Sequence, residues 1–232
     1  MNYNKIASEY DHFERTAITL WKLGYPEVCK YLGKIKGKTI LDYGCGSGVF
    51  SRFLHESGAK IIGVDVSQNM IKVAKYSKPS AIEYHPITSG EMDFLSAGTF
   101  DYVVSNFVLC TLPSRKEIKK ILGELFRVLK KNGLFVFMNS NWDRSNGREF
   151  NSFRMEYCED LLSGKMVKAI IKSNPPIVLN DYFWSVEDYF EMLEQSRFHI
   201  RDFSEPLAPG DEDHWLDEKN YPPYYIVSAM KS

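Results

Sequence analysis

Lys38-Thr39-Ile40-Leu41-Asp42-Tyr43-Gly44-Cys45-Gly46-Ser47-Gly48-Val49-Phe50-Ser51 is the stretch around which the rest of this chain is organised. Its apolar start predicts a buried strand, its glycines a tight turn, and Val49, Phe50, Phe53 and Leu54 one face of a helix. Glycine at positions 44, 46 and 48 lets the backbone turn sharply and come close to a ligand. The helix that follows aims free N–H groups and the positive end of its dipole at that ligand, which favours an anionic group there. A second strand, Lys60-Ile61-Ile62-Gly63-Val64, ends in Asp65. That acid falls about 20 residues past the glycines, where nucleotide-binding α/β units place a carboxylate on ribose hydroxyls.

Spacing separates the candidate ligands. A dinucleotide fingerprint needs G-x-G-x-x-G, and Val49 stands where its last glycine belongs. Present instead is an acid followed by G-x-G-x-G, with Gly63-Val64-Asp65-Val66-Ser67 downstream. This arrangement resembles the class I S-adenosylmethionine-dependent methyltransferases. The resemblance implies an α/β, Rossmann-like fold: a seven-stranded, mostly parallel sheet with helices on both faces and an antiparallel last strand. It also implies S-adenosylmethionine as cofactor, with Asp42, Gly44, Cys45, Gly46, Gly48 and Asp65 around it.

Further segments carry the same resemblance. Lys5-Ile6-Ala7-Ser8-Glu9-Tyr10-Asp11 is similar to the A-x-x-Y-D opening of many small-molecule methyltransferases, whose tyrosine closes over the methionine end of the cofactor. Tyr10, with Tyr3 as second choice, is the candidate. Residues after the ribose-binding acid line the adenine in this family, which points to Val66 and Met70. Ser67 is the expected N-cap of the helix they open. An acid-containing turn normally follows the third strand, predicted here over 81–87. This chain has Thr88-Ser89-Gly90-Glu91, so Ser89, Gly90 and Glu91 are candidates and the residue reading the adenine amino group stays open. The fourth strand, Phe100-Asp101-Tyr102-Val103-Val104-Ser105-Asn106-Phe107, resembles the family's F-D-x-V strand and places Asn106 and Phe107 at the carboxyl edge of the sheet. Ser114-x-x-Glu117 is a capping box for a helix predicted to reach Leu129 and stop at Asn132-Gly133, with a fifth strand over Leu134 to Met138.

The composition is that of an ordinary globule, 44% hydrophobic and 25% charged over 232 residues. A net charge of -1 gives no broad electrostatic footprint for nucleic acid or an anionic membrane. No apolar run is long enough to span a bilayer, and the polar start Met1-Asn2-Tyr3-Asn4-Lys5 is not a signal peptide. Cysteines at 29, 45, 110 and 158 lack zinc or redox-pair spacing and predict reduced thiols in a cytoplasmic protein.

The expected organisation is one domain over 1–232. A helical cover (1–37), with Ile6, Tyr10, Phe13, Trp21, Tyr25 and Val28 as its apolar stripe, precedes the cofactor-binding core (38–138). An aromatic-rich insertion (139–184) is the expected substrate cover, and 185–232 supplies a helix capped by Ser185-x-x-Asp188 and two closing strands. Cys110, Trp142, Tyr182, His214 and Trp215 are the candidate acceptor contacts; His214 and Tyr10 are the candidate bases, should one be needed. His85 and His199 fall in strands and are expected to be structural. The acidic loop from Glu205 to Glu218 has no metal-site spacing, and no metal is expected. Asn174-Pro175-Pro176-Ile177 and Tyr221-Pro222-Pro223-Tyr224 resemble a motif that holds nucleic-acid amino groups, but both lie away from the fourth strand, where that motif belongs.

The expected activity is in-line methyl transfer to a small-molecule oxygen, nitrogen or carbon nucleophile. A non-catalytic S-adenosylmethionine-binding module, a protein methyltransferase and a nicotinamide oxidoreductase remain as alternatives, the last opposed by Val49.

Overall fold

The structure, a computed structural model, describes residues 6–77, 81–210 and 212–232. Tyr3, the segment Met1 to Lys5 and Asp211 therefore lie outside the described residues. A seven-stranded sheet forms the centre. In chain order its strands are β1 (Thr39–Tyr43), β2 (Lys60–Asp65), β3 (Glu83–Pro86), β4 (Phe100–Asn106) and β5 (Leu129–Ser140), closed by β9 (Phe198–Ser204) and β10 (Tyr224–Lys231). Their spatial order is β3-β2-β1-β4-β5-β10-β9. The first five pair in parallel, and β10 runs antiparallel to both β5 and β9. Strand order therefore reverses between β1 and β4, the place where open α/β sheets leave a crevice at their carboxyl edge.

Strand alternation sorts side chains to two cores. Leu41, Phe135, Phe137, Tyr225 and Val227 face one core, while Ile40, Val136, Met138, Tyr224 and Ile226 face the other. The first is covered by α5 (Arg115–Val128) and α7 (Val186–Gln195), through Ile121, Leu125, Tyr189 and Leu193. The second is covered by α2 (Tyr25–Leu32) and α3 (Val49–Glu56), through Val28, Leu32, Phe50 and Leu54. Ahead of α2 lie α1 (Ala7–Thr16) and a wide turn at Leu20–Gly24. α4 (Gln68–Tyr76) follows β2 and is capped by Ser67, whose hydroxyl accepts from the Met70 amide at 3.2 Å.

Two sequence expectations change. The helix expected to reach Leu129 ends at Val128, and Leu129 already begins β5. The Lys231 ammonium donates to the carbonyls of Phe126 (2.6 Å) and Leu129 (2.7 Å), a long-range C-terminal cap that local pattern does not reveal. The second change lies in residues 139–184. They hold a short helix α6 (Trp142–Ser145) and an antiparallel sheet of β6 (Phe153–Met155), β7 (Met166–Ile171) and β8 (Ile177–Tyr182). Phe153, Val167, Ala169, Ile171 and Ile177 pack inward on the second core, whereas Arg154, Lys168 and Val178 point out.

Candidate functional site

A cavity of about 200 Å³ opens at the fork between β1 and β4. The glycine turn makes one wall. Gly44 has φ 78°, and a Cβ there would lie 2.1 Å from Val108 Cγ2, so the turn is packed against the segment leaving β4. Gly46 differs: its φ is 52° and a Cβ would meet nothing within 4 Å, because the space beside it is the cavity. Gly48, with φ 77°, is the left-handed residue that starts α3, and Tyr84 Oη would sit 2.5 Å from its Cβ. Its role is local packing, and it does not line the cavity.

Asp65 ends β2 on the cavity rim. Its two oxygens accept from the Gly46 amide (2.9 Å) and the Ser67 amide (2.7 Å), which ties the acid to the turn. Burial raises its pKa, and the backbone donors, including Val66 N–H, pull it back. Val66 lines the cavity at 56% exposed, while Met70 lines it from the core side and is fully buried. Ser89 also lines it. Gly90 and Glu91 do not: the Gly90 amide donates to the Tyr43 hydroxyl at 3.0 Å, and exposed Glu91 pairs with Lys120 at 3.0 Å. Tyr43 and Ile87 are lining residues that sequence reasoning missed, although Tyr43 lies inside the motif itself.

Two smaller cavities, about 30 Å³ each, adjoin the first, and Tyr10 and Phe107 line all three. Phe107 reaches this junction with φ 57°, a conformation rare for a large side chain, immediately after β4. Its ring meets Tyr224 edge-on at 5.4 Å. Tyr10 sits on α1 beside Phe13, and burial together with nearby Glu14 and Asp181 holds its hydroxyl well above the ordinary tyrosine value.

One of the small cavities is acidic. Asp42 and Glu14 both line it, with Cys45, Gly46 and Asn106. Asp42 accepts from the Ser51 hydroxyl at 2.5 Å and Glu14 from the Tyr25 hydroxyl at 2.6 Å. Burial pushes each carboxyl up to about 7. Glu14 was missed, yet it stands four residues after Tyr10 and so on the same helical face. The Cys45 sulfur packs with Ile71, Ala74 and Tyr84, and burial raises its thiol.

The other small cavity lies between α1 and the small sheet. Phe13, Leu20, Phe153, Ile171 and Leu179 make it apolar, and Asp181 of β8 enters its wall. Asp181 carries no sequence signal in an insertion read for its aromatic residues. In a recognised strand it would have stood out, because Ile177, Leu179 and Asp181 share the inward-facing period.

The sequence-nominated acceptor contacts are placed elsewhere. Cys110 is buried and hydrogen-bonds Asp181 rather than lining a cavity. Trp142 is buried in the second core, and Tyr182 packs against the first. His214 pairs with Glu212 at 3.1 Å and its ring tilts against Trp215 at 4.4 Å, outside all three cavities. Their loop is organised by buried Glu218, which accepts from the amides of Asn151 (2.5 Å) and Leu216 (2.7 Å). A loop acid drawn inward to satisfy backbone donors turns His214 and Trp215 into scaffold. His85 tilts against Phe94 at 5.0 Å, and His199 is exposed on β9. The first proline pair caps the exposed turn between β7 and β8. The carbonyls of Pro222 and Pro223 accept from Ser145 Oγ (2.8 Å) and the Asn141 amide (3.0 Å).

A family model described as a methyltransferase domain matches residues 41–137. N-demethylindolmycin N-methyltransferase of Streptomyces griseus is 29% identical over 203 residues, covering 83% of this chain and 85% of that protein. Demethylmenaquinone methyltransferase of Tropheryma whipplei (strain Twist) is 28% identical over 211 residues, covering 84% and 81%. Among solved structures, an S-adenosylmethionine dependent methyltransferase from Mesorhizobium loti superposes with a TM-score of 0.67 at 22% identity, over 89% of this chain and 96% of that one.

Proposed function

We propose that this chain, a member of the class I S-adenosylmethionine-dependent methyltransferase family, methylates a small, largely apolar acceptor bound between α1 and the small sheet. The observation that carries the reading is the cavity pair. The larger has an open cradle at Gly46 with Asp65 on its rim, and it meets the apolar one at Tyr10 and Phe107. The relatives from Streptomyces griseus and Tropheryma whipplei, named for acting on N-demethylindolmycin and demethylmenaquinone, support a small organic acceptor.

The residues present fit the methyl donor. Asp65 is placed for ribose hydroxyls, Val66 and Met70 for the two sides of an adenine, and Ser89 for a polar edge of it. The buried acids Asp42 and Glu14 suit the amino group at the methionine end. Bound S-adenosylmethionine supplies an activated methyl on a sulfonium, so the leaving group departs as a neutral thioether. The protein then has mainly to align: Tyr10 and Phe107 separate donor space from acceptor space and fix the line between them. Orientation of this kind supplies about 7–11 kcal/mol in favourable cases. Residues 139–184 supply the acceptor's cover and residues 1–37 part of the donor's. Among the described residues no helix is long and apolar enough to cross a membrane. Four free cysteines suit a reducing compartment, the cytoplasm.

Calorimetric titration with S-adenosylhomocysteine, using NAD as the control, tests the donor site. Stoichiometric binding of the first and none of the second is expected. Binding of NAD alone, or of neither, overturns the reading. Transfer of labelled methyl to small amines, phenols or heterocycles then tests the acceptor class.

A further inference from the structure

At the end of the larger cavity proposed above for the adenine, the polar side chains are hydroxyls. The lining there is Val66 and Met70 after β2, Ile87 and Ser89 after β3, Thr111 after β4, and Tyr43 at the end of β1. Among the described residues that line this cavity, Asp65 carries the one carboxyl, and it is tied to the Gly46 and Ser67 amides. Glu91, two residues past Ser89, is held outside. Its carboxylate pairs with the Lys120 ammonium at 3.0 Å, and the same ammonium donates to the Ser89 carbonyl at 3.2 Å. Gly90, between them, has φ 68°, and a Cβ there would lie 3.3 Å from Lys120 and 3.4 Å from Ile121. The turn is thus clamped against α5 with Ser89 on the cavity and Glu91 off it.

Ser89 belongs to a linked pair of hydroxyls. Tyr43 is buried, and its hydroxyl accepts from the Gly90 amide at 3.0 Å and hydrogen-bonds the Ser89 hydroxyl. The Thr111 hydroxyl gives its proton to the Val108 carbonyl at 2.7 Å, which leaves it only lone pairs to offer. A carboxylate only accepts, so it favours an amino group and repels a carbonyl oxygen. A hydroxyl has one proton and two lone pairs and turns to suit its partner. In the Ser89–Tyr43 pair the direction of donation can reverse. When Ser89 donates to Tyr43, a serine lone pair and the tyrosine proton are left for the ligand. That pattern complements the amino group and the N1 lone pair of adenine. When Tyr43 donates to Ser89, the serine proton and a tyrosine lone pair are left instead. That pattern complements the 6-oxygen and the N1–H of hypoxanthine. The Gly90 amide keeps its acceptor in both arrangements.

Resting on the methyltransferase reading above, we propose that Ser89 and Tyr43 read the base of the methyl donor as a reversible hydroxyl pair, so that the site takes a 6-oxopurine donor as well as a 6-aminopurine one. Selectivity for the donor then lies at its ribose and amino-acid ends, with Asp65, Gly46 and the acids of the adjoining cavity. Position 89 sets the tolerance, because an acceptor-only side chain there cannot reverse.

The experiment titrates the full chain by calorimetry with S-adenosylhomocysteine and with S-inosylhomocysteine, its 6-oxo counterpart. The two dissociation constants are expected to agree within about tenfold, since neither ligand strands a polar group at the base edge. A larger preference for either ligand overturns the proposal. Ser89→Asp is expected to keep S-adenosylhomocysteine binding and to raise the preference for it by about tenfold or more, because the carboxylate meets the 6-oxygen with like polarity. A smaller rise overturns the assignment of Ser89 to the base edge. Should Ser89→Asp bind neither ligand, Ser89→Ala decides: it is expected to weaken both by about twofold or more, the loss of one hydrogen bond. Binding of both at wild-type strength counts against the proposal. Failure of the wild type to bind S-adenosylhomocysteine overturns the methyltransferase reading itself, and this inference with it. Binding of S-adenosylhomocysteine with rejection of S-inosylhomocysteine overturns this inference alone.

Discussion

Asp65 holds the glycine turn by accepting from the Gly46 and Ser67 amides, and its remaining lone pairs border the larger cavity. Asp65→Ala removes the acceptor proposed for the donor's ribose, and loss of one charge-assisted bond there costs about 1.5–3 kcal/mol. The expected result is an S-adenosylhomocysteine affinity lower by about 10- to 100-fold in calorimetry, with the far-ultraviolet circular dichroism unchanged. Unaltered affinity would remove Asp65 from the ribose assignment. Gly46→Val makes a sharper test. No neighbouring atom lies within 4 Å of its Cβ position, so the new side chain grows into the cavity and not into the core. The protein should fold, at some loss of stability from a φ of 52° that valine resists, and should bind no S-adenosylhomocysteine. Binding at wild-type strength would mean that the donor does not approach this turn.

At the scale of the element, α7 starts just after β8 of the small sheet. Ser185 accepts from the Asp188 amide at 3.1 Å, and Asp188 accepts from the Ser185 amide at 3.0 Å, completing a capping box. Asp188 also takes Arg115 Nη1 at 2.8 Å, linking α7 to α5. Ser185→Ala should destabilise the protein by about 1 kcal/mol. In a chain of this size that lowers the melting temperature by about 2–4 °C. S-adenosylhomocysteine affinity should not change, because neither α7 nor its cap lines a cavity. A change in affinity without a change in melting temperature would show that this cap acts on the site rather than on the helix. Both caps were legible in the sequence because the motif is local, with partners three residues apart. The box at Ser185 is reciprocal, whereas at Ser114 the hydroxyl accepts from the Glu117 amide at 3.3 Å and the Glu117 carboxylate bonds that hydroxyl instead of the backbone.

At the scale of the whole molecule, three buried carboxyls surround the junction of the cavities. Burial pushes Glu14, Asp42 and Asp181 each up to about 7. Unfolded carboxyls titrate near 4, so between about pH 4 and 7 the folded chain binds more protons than the unfolded one. Its stability therefore falls as pH rises through that window and levels off above it. The ligand-free protein should melt at a higher temperature at pH 5.5 than at pH 7.5. On the proposed placement S-adenosylhomocysteine brings its ammonium to the acidic cavity, so the increment it adds to the melting temperature should grow over the same range. Thermal unfolding at both pH values, with and without the ligand, reads both slopes. A ligand-free melting temperature that rises from pH 5.5 to 7.5 would show that other groups dominate.

What the sequence determined by itself was everything set by short-range periodicity. The strand-turn-helix around Gly44 to Gly48, the acid at Asp65, the caps at Ser67, Ser114 and Ser185 and the alternating strands were all legible, because each signal repeats within a few residues. The seven-stranded sheet that these elements build is what the family resemblance implied, and the structure shows it. Tertiary structure alone decided which side chains meet. It drew Glu218 inward and left His214 and Trp215 as scaffold, and it ended α5 at Val128 through Lys231, a residue more than a hundred positions away. It also folded residues 153–182 into a small sheet that turns Asp181 into an apolar cavity facing Tyr10 and Phe107. A buried charge has no local signature. Its energy depends on which distant surfaces close over it, and that is settled only when the small sheet packs against the helix at the other end of the chain.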